Sequence, residues 1–163
     1  MTRADIRVGL GFDAHALVAG RRLVLGGVEV GYPRGLAGHS DGDVLTHALI
    51  DAVLGAAGLG DIGSLFPSGD AVWEGVSSLD LLGRAYEAVQ SAGYELVNAD
   101  CVLVGEEPRL APMRDEMRAR LAVVLGVEPD RVAVRATTTD GLGFTGRGEG
   151  LAAHAVALVR RRD

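Results

Sequence analysis

The sequence predicts an α+β fold, a mixed β-sheet with helices packed on one face in a ferredoxin-like sandwich, plus a small β-hairpin. Three observations lead there: strand and helix signals run in the order ββ-α-α-β-α-β-β, each helical segment ends at a glycine, and no internal repeat divides the chain. Residues 6–12 alternate apolar and small or polar side chains, as a strand does. Residues 22–25 and 28–30 flank Gly26-Gly27, a hairpin signal. Ser40 with Asp43 three residues on resembles a capping box with Asp in place of Glu, and the apolar pattern over residues 44–57 then fits a helix that Gly58 stops. Ser77 with Asp80 opens a second helix ending near Gly93, and the stretch from Pro108 to Pro112 leads into a third that runs to Gly126. Strands are expected at residues 96–104, 131–137 and 151–159. Glycine and proline concentrate in residues 58–70 and 140–150, which read as bounded loops.

With 163 residues and 48% hydrophobic content, the chain has the material for one domain, residues 1–163, around one sizeable core. Its single cysteine, Cys101, lies in an apolar run, so no disulfide can form within the chain and a reducing compartment is expected. The start of the chain is short and polar, and eighteen uninterrupted apolar residues occur nowhere. Those features predict a cytoplasmic protein without a membrane span. A net charge of −6 argues against a broad nucleic-acid surface, because neutralising many phosphates needs a basic face. A small anionic ligand is compatible with that charge if positive potential is concentrated locally by metal ions, a few arginines or helix N-termini. All sixteen basic residues are arginine, for which the composition of the source genome is the simpler explanation than phosphate binding.

Asp13 and His15 stand two apart, so their side chains share a face if the strand persists through them. His47 falls inside the predicted first helix, with Asp43 and Asp51 one turn away on either side. Two imidazoles and one carboxylate make a good zinc ligand set that leaves a fourth tetrahedral position open for a substrate oxygen. Either Asp43 or Asp51 can orient His47 through its second ring N–H, while capping or surface charge explains Asp43 equally well; both stay outside the ligand set. His39 precedes a helix start, where free backbone N–H groups favour phosphate, and can stabilise a pentavalent phosphorus; as an alternative it is a plain loop residue, with Ser40 a cap. Thr137-Thr138-Thr139-Asp140 closes a predicted strand, and the glycine-rich segment after it carries Arg147. Hydroxyls, pliable backbone and one guanidinium suit a diphosphate, though the threonines also favour an ordinary strand. Neither a dinucleotide-binding glycine fingerprint in a βαβ context nor a phosphate-loop lysine is present.

Taken together, Gly11-Phe12-Asp13-Ala14-His15, His39-Ser40-Asp41-Gly42-Asp43 with His47, Gly60-Asp61-Ile62-Gly63 with Phe66-Pro67, and Ala136-Thr137-Thr138-Thr139 with residues 143–150 closely resemble the 2-C-methyl-D-erythritol 2,4-cyclodiphosphate synthase family across nearly the whole chain. The resemblance implies that Asp13, His15 and His47 hold zinc or a similar divalent cation. It also implies that His39 and Thr138 stabilise the transition state, and that a second ion, Mg2+ or Mn2+, sits between the substrate phosphates near Asp140. Asp61, Ile62, Gly63, Phe66 and Asp70 are implied at the methylerythritol side, and Ser40 as a further substrate contact. Pro108, Arg109, Thr137, Thr139, Phe144 and Arg147 are implied as nucleotide and diphosphate contacts. Family members are homotrimers with active sites between subunits, so the expected partners are a cytidine-diphosphate small molecule and two further copies of the chain. The activity implied is that of a phosphorus-oxygen lyase, in which the substrate's 2-phosphate attacks its β-phosphorus and releases CMP. A metal-dependent phosphohydrolase and a non-catalytic, metal-stabilised trimeric binding protein are the alternatives. The chain departs from the family pattern at Asp140, where Glu is common, at Glu106-Glu107 in the cytidine loop, and at Ser68. His154 has no counterpart in the pattern and is expected to be a packed or interface residue.

Overall fold

The computed structural model describes residues 5–162. Strand β1 (Ile6–Ala19) is followed by the short strands β2 (Leu23–Leu25), β3 (Val28–Val30) and β4 (Arg34–Leu36). Helix α1 (Val44–Ala57), the single turn α2 (Ile62–Leu65) and helix α3 (Ser78–Ser91) come next. The chain then runs through β5 (Tyr94–Val104), α4 (Arg114–Leu125), β6 (Val132–Thr137), the single turn α5 (Gly143–Gly146) and β7 (Gly150–Arg161). Five strands form one mixed sheet in the order β4-β1-β7-β5-β6, and β2-β3 make the separate hairpin expected around Gly26-Gly27. Only β5 and β6 are parallel, and α4 crosses between them. Among the described residues, no helix is long and apolar enough to cross a membrane.

Some boundaries differ from the sequence expectation for identifiable reasons. Strand β1 runs seven residues past Phe12, because β7 pairs with it as far as Ala16↔Gly150 and β4 takes over at Leu17↔Leu36. Asp13 and His15 therefore sit within the strand, not at its end. The cap of α1 is Asp43 and not Ser40: Asp43 accepts from Thr46 N at 3.0 Å and from the Thr46 hydroxyl at 2.7 Å, while Gly26 N and Gly27 N reach it at 2.9 and 2.8 Å. Its carboxylate thus ties the hairpin turn to the helix start. The third long helix begins only at Arg114, after a 3-10 turn over Ala111–Met113 that contains Pro112. Ser77 caps α3, and Gly58 and Gly126 end α1 and α4 in the left-handed conformation, as expected.

Helix α1 is the centre of the molecule, buried almost all round between the sheet and α3, which is why its sequence shows so little polar face. It lies unusually close to β1. A Cβ built on Gly9 would stand 1.9 Å from the carbonyl oxygen of Ala52, and one on Gly11 1.8 Å from that of Ala48. The strand therefore presents bare backbone to an alanine-lined helix face at the alternate positions 9 and 11, and the same face continues to Asp13 and His15. The opposite face of β1 carries Ile6, Val8, Leu10 and Phe12, all exposed, with Leu10 at 69%. Val156 of β7 extends this apolar surface, and His154, also exposed, stacks its ring 4.9 Å from that of Phe12.

Replacing Gly11 with Ala forces α1 away from β1. Since overpacking a tight contact costs typically about 1–3 kcal/mol and here meets backbone, the loss expected for Gly11→Ala is at least about 3 kcal/mol, read as a lowered midpoint in urea unfolding.

Candidate metal centre

Where α1 crosses β1, three donor atoms from distant parts of the chain meet. Asp13 Oδ2 lies 2.7 Å from His15 Nε2 and 3.0 Å from His47 Nδ1, and the two ring nitrogens are 3.2 Å apart. Tetrahedral zinc with bonds of about 2.0–2.2 Å requires ligand atoms roughly 3.3 Å from each other, so the triangle needs only slight opening to accept such an ion. Two facing imidazole nitrogens and a carboxylate oxygen are also the chemistry that a divalent cation of intermediate hardness prefers. The donor set fits.

Electrostatically the cluster is already polarised. Burial is the largest influence on Asp13 and opposes its ionisation, but hydrogen bonds from His15 and His47 and their charge together outweigh it and hold the carboxyl far below the ordinary range. The hydrogen bond with Asp13 is the main cause that lifts His15 above its usual value, against burial, and a backbone hydrogen bond with Ala37 adds to it. His47 is almost wholly enclosed, and its Nε2 lies 2.9 Å from Ser40 Oγ and 2.8 Å from Ser78 Oγ. Neither Asp43 nor Asp51 reaches that nitrogen. Asp43 is occupied at the helix cap, and Asp51 accepts Ile62 N at 2.8 Å, tethering α2.

The cluster forms one wall of a cavity of about 450 Å³ that His39, Ser40, Ile62, Gly63 and Phe66 also line. Phe66 and Trp73 meet edge to face at 5.0 Å on its apolar side. Asp61 and Asp70 do not face it: Asp61 caps α2 through Ser64 N at 2.8 Å, and Asp70 caps a 3-10 turn through Val72 N at 3.1 Å. A second cavity, of about 250 Å³, is lined by Pro108, Arg109, Arg114, Thr137 and Thr138, and shares no residue with the first. The reason is topological. The register aligns Asp13 with Ala153, Ala153 with Leu103 and Leu103 with Ala136, which puts three strand spacings, about 14 Å, between the metal cluster and the start of the threonine segment.

That segment is nonetheless built with care. Asp140 is the one described non-glycine residue at positive φ, 52°, a left-handed turn in which Thr138 Oγ1 donates to its carboxylate at 3.2 Å. Glu106 Oε1 accepts from Thr139 N at 3.3 Å and Gly141 N at 3.2 Å, pinning the turn to the loop that carries Pro108. Thr139 Oγ1 donates to Leu142 O at 2.6 Å. Phe144 lies on α5, and the exposed Arg147 pairs with Glu149 at 2.8 Å beside a third cavity of about 240 Å³. Cys101 is core: burial pushes its thiol up to about 12, which removes it from any nucleophilic role.

The sequence reading missed Ser78, Asp41 and Trp73 as parts of the first cavity's surroundings, and Glu106 as the brace of the second. Ser78 follows the cap Ser77 directly and looks like an ordinary first-turn residue; only the packing of α3 against α1 turns it toward His47.

Fold and cluster define an α+β protein in which three donors that fit a divalent cation meet where a central helix crosses an antiparallel strand. The chain belongs to the YgbB family, whose profile matches residues 6–160. It is 58% identical over 158 residues to the 2-C-methyl-D-erythritol 2,4-cyclodiphosphate synthase of Moorella thermoacetica, covering 97% of each chain. A solved structure of the bifunctional IspDF from Campylobacter jejuni matches with a TM-score of 0.95 at 42% identity, over 99% of this chain and 44% of that one. Another, a 2C-methyl-D-erythritol-2,4-cyclodiphosphate synthase in a CDP-bound form, matches with a TM-score of 0.86 at 39% identity, over 94% of this chain and 99% of that one.

Loss of one ligand leaves two donors in a site built for three. His47→Ala is expected to weaken zinc binding by more than about 100-fold, beyond the effect of losing an outer hydrogen-bond partner, as measured by competition with a chromophoric chelator.

Proposed function

We propose that the chain is a cytoplasmic phosphorus-oxygen lyase that converts 4-diphosphocytidyl-2-C-methyl-D-erythritol 2-phosphate into 2-C-methyl-D-erythritol 2,4-cyclodiphosphate and CMP. The observation that carries this reading is the convergence of Asp13, His15 and His47 on one cavity wall, in a chain 58% identical to a synthase of that name. One 2-phosphate oxygen bonds to the β-phosphorus, the bond from that phosphorus to the bridging oxygen breaks, and CMP departs with the electron pair. No water is consumed.

A zinc-like cation at the triad, and Mg2+ or Mn2+ near Asp140, would supply charge neutralisation and polarisation of phosphoryl oxygens. The protein's own share is placement. Ile62, Gly63 and Phe66 wall the cavity in which the methylerythritol end would sit, and Ser40 lines it beside His47. Asp61 and Asp70 hold the short helical turns of this wall in shape. His39 and Thr138 would donate hydrogen bonds to oxygens that gain charge at the transition state. Pro108, Arg109 and Thr137 shape the second cavity, which suits the cytidine and its phosphates, while Thr139, Phe144 and Arg147, on the segment that follows, would add contacts to the diphosphate. Orienting two reacting groups already joined in one molecule accounts for up to about 7–11 kcal/mol of barrier, so a rigid enclosure matters more here than a nucleophilic side chain.

A homotrimer reconciles the two cavities. Reacting atoms must approach to about 3–3.5 Å, yet three strand spacings separate the strand of His15 from the one that leads to Thr138 within one chain. A neighbouring copy that lays its threonine turn against the metal wall completes the site, and the exposed apolar face of β1 and β7 is the surface such copies would bury.

Incubation of the proposed substrate with the Zn2+- and Mg2+-supplied protein, followed by phosphorus NMR, is expected to show a cyclic diphosphate and one CMP per turnover. Inorganic phosphate or an opened diphosphate would identify a phosphohydrolase, and binding without turnover a binding protein; either contradicts the proposal. Val8→Glu combined with Leu10→Glu is expected to convert the trimer to monomers in sedimentation velocity and to abolish turnover while leaving each chain folded.

A further inference from the structure

Both imidazoles of the cluster turn one nitrogen toward Asp13 by virtue of what holds the other, and for His47 the holding groups are hydroxyls. Its Nε2 faces two hydroxyls, Ser40 Oγ at 2.9 Å and Ser78 Oγ at 2.8 Å. A hydroxyl has one proton to give. Ser78 spends it on Asp41 Oδ1, in a short hydrogen bond, so the Ser78 oxygen can meet His47 only as an acceptor. Nε2 must then carry a proton, so Nδ1, which faces Asp13 Oδ2 and His15 Nε2, is the nitrogen available to a cation.

Asp41 is in turn fixed from two sides. Its Oδ2 accepts Ser78 N at 3.0 Å, one of the free N–H groups at the start of α3, and its Oδ1 accepts Asp43 N at 3.1 Å, just before α1. Ser78 itself is completely buried, and its N–H and hydroxyl are both accounted for by Asp41 and His47. The relay therefore runs from the α3 N-terminus through the half-buried Asp41 and the buried Ser78 to the ring of His47.

We infer that Ser78, oriented by Asp41, is a positioning residue for the metal centre: by accepting the Nε2 proton of His47 it selects the tautomer and ring orientation in which Nδ1 binds the cation. The inference rests on the metal-site reading above. Outer partners of this kind are worth about 10–100-fold in metal affinity. A serine whose role was only to start α3 would alter folding stability and leave the affinity of the folded protein unchanged.

The test measures zinc affinity by chelator competition in wild type, Ser78→Ala, Ser78→Thr and Asp41→Asn, with circular dichroism as the check on folding. It also records the imidazole N–H proton signals of the zinc-loaded proteins. Wild type is expected to bind one zinc ion tightly and to show a slowly exchanging His47 Nε2–H. Ser78→Ala should bind zinc about 10–100-fold more weakly and lose that slow exchange, and Ser78→Thr, which keeps the hydroxyl, should recover most of the affinity. Asp41→Asn puts an amide N–H against one of the donors Asp41 now satisfies, and should weaken zinc in the same direction; it serves as the reading if Ser78→Ala does not fold. Folded Ser78→Ala or Asp41→Asn with wild-type zinc affinity and an unchanged Nε2–H signal overturns the inference while leaving the metal site intact. Failure of wild type to bind zinc overturns both.

Discussion

Helix α1 can hold His47 over strand β1 only because β1 has no side chains at Gly9 and Gly11, where the helix rests against backbone. At both positions a methyl group would overlap a carbonyl oxygen of the helix, at Ala52 and Ala48. Since side chains on one strand face recur every second residue, the pair that must be absent at 9 and 11 sets the line on which Asp13 and His15 are present. His47 precedes Ala48 by one residue and so hangs at the end of this contact, where the strand first offers it a carboxylate and an imidazole. Packing and chemistry are one geometric problem here: a helix displaced by a methyl's width would separate the ligands by more than a metal–ligand bond tolerates.

The same economy governs charge. A chain with a net charge of −6 has no general attraction for phosphates. Positive potential has to be local, and a cation held by a half-buried three-donor cluster is a compact way to install it, provided the free ring nitrogens are held. His15 leans on the backbone at Ala37, His47 on Ser40 and Ser78, and these contacts hold the rings while their other nitrogens face Asp13. The threonine turn follows a different principle: its shape comes from backbone constraint, a left-handed Asp140 and the Glu106 brace, and its usefulness from hydroxyls at its rim.

How much of this the sequence discloses depends on how local the cause is. Ser77, Gly58 and Gly126 act within one turn of themselves, and their helix ends were legible. The Asp13–His15–His47 set was legible because a period of two on a strand, and the resemblance of four ordered motifs, both point to it. Ser40 was misread as a cap because Asp43 fits the same spacing and has in addition the Gly26 and Gly27 amides, a contact across seventeen residues that no local pattern reveals. Ser78 was invisible for the same reason, since its meaning lies in Asp41 and His47, thirty or more residues away. The short strand β4 and the single turns α2 and α5 carry too few residues for any periodicity to register.

The most direct measurement is a crystal structure of the zinc-loaded protein with anomalous data at the zinc edge. A single strong peak is expected about 2.0–2.2 Å from Asp13 Oδ2, His15 Nε2 and His47 Nδ1 together, at the crossing of α1 and β1. A peak ligated through His47 Nε2, or one that leaves Asp13 and His15 uncoordinated, would contradict a cation site built by the packing of α1 on β1.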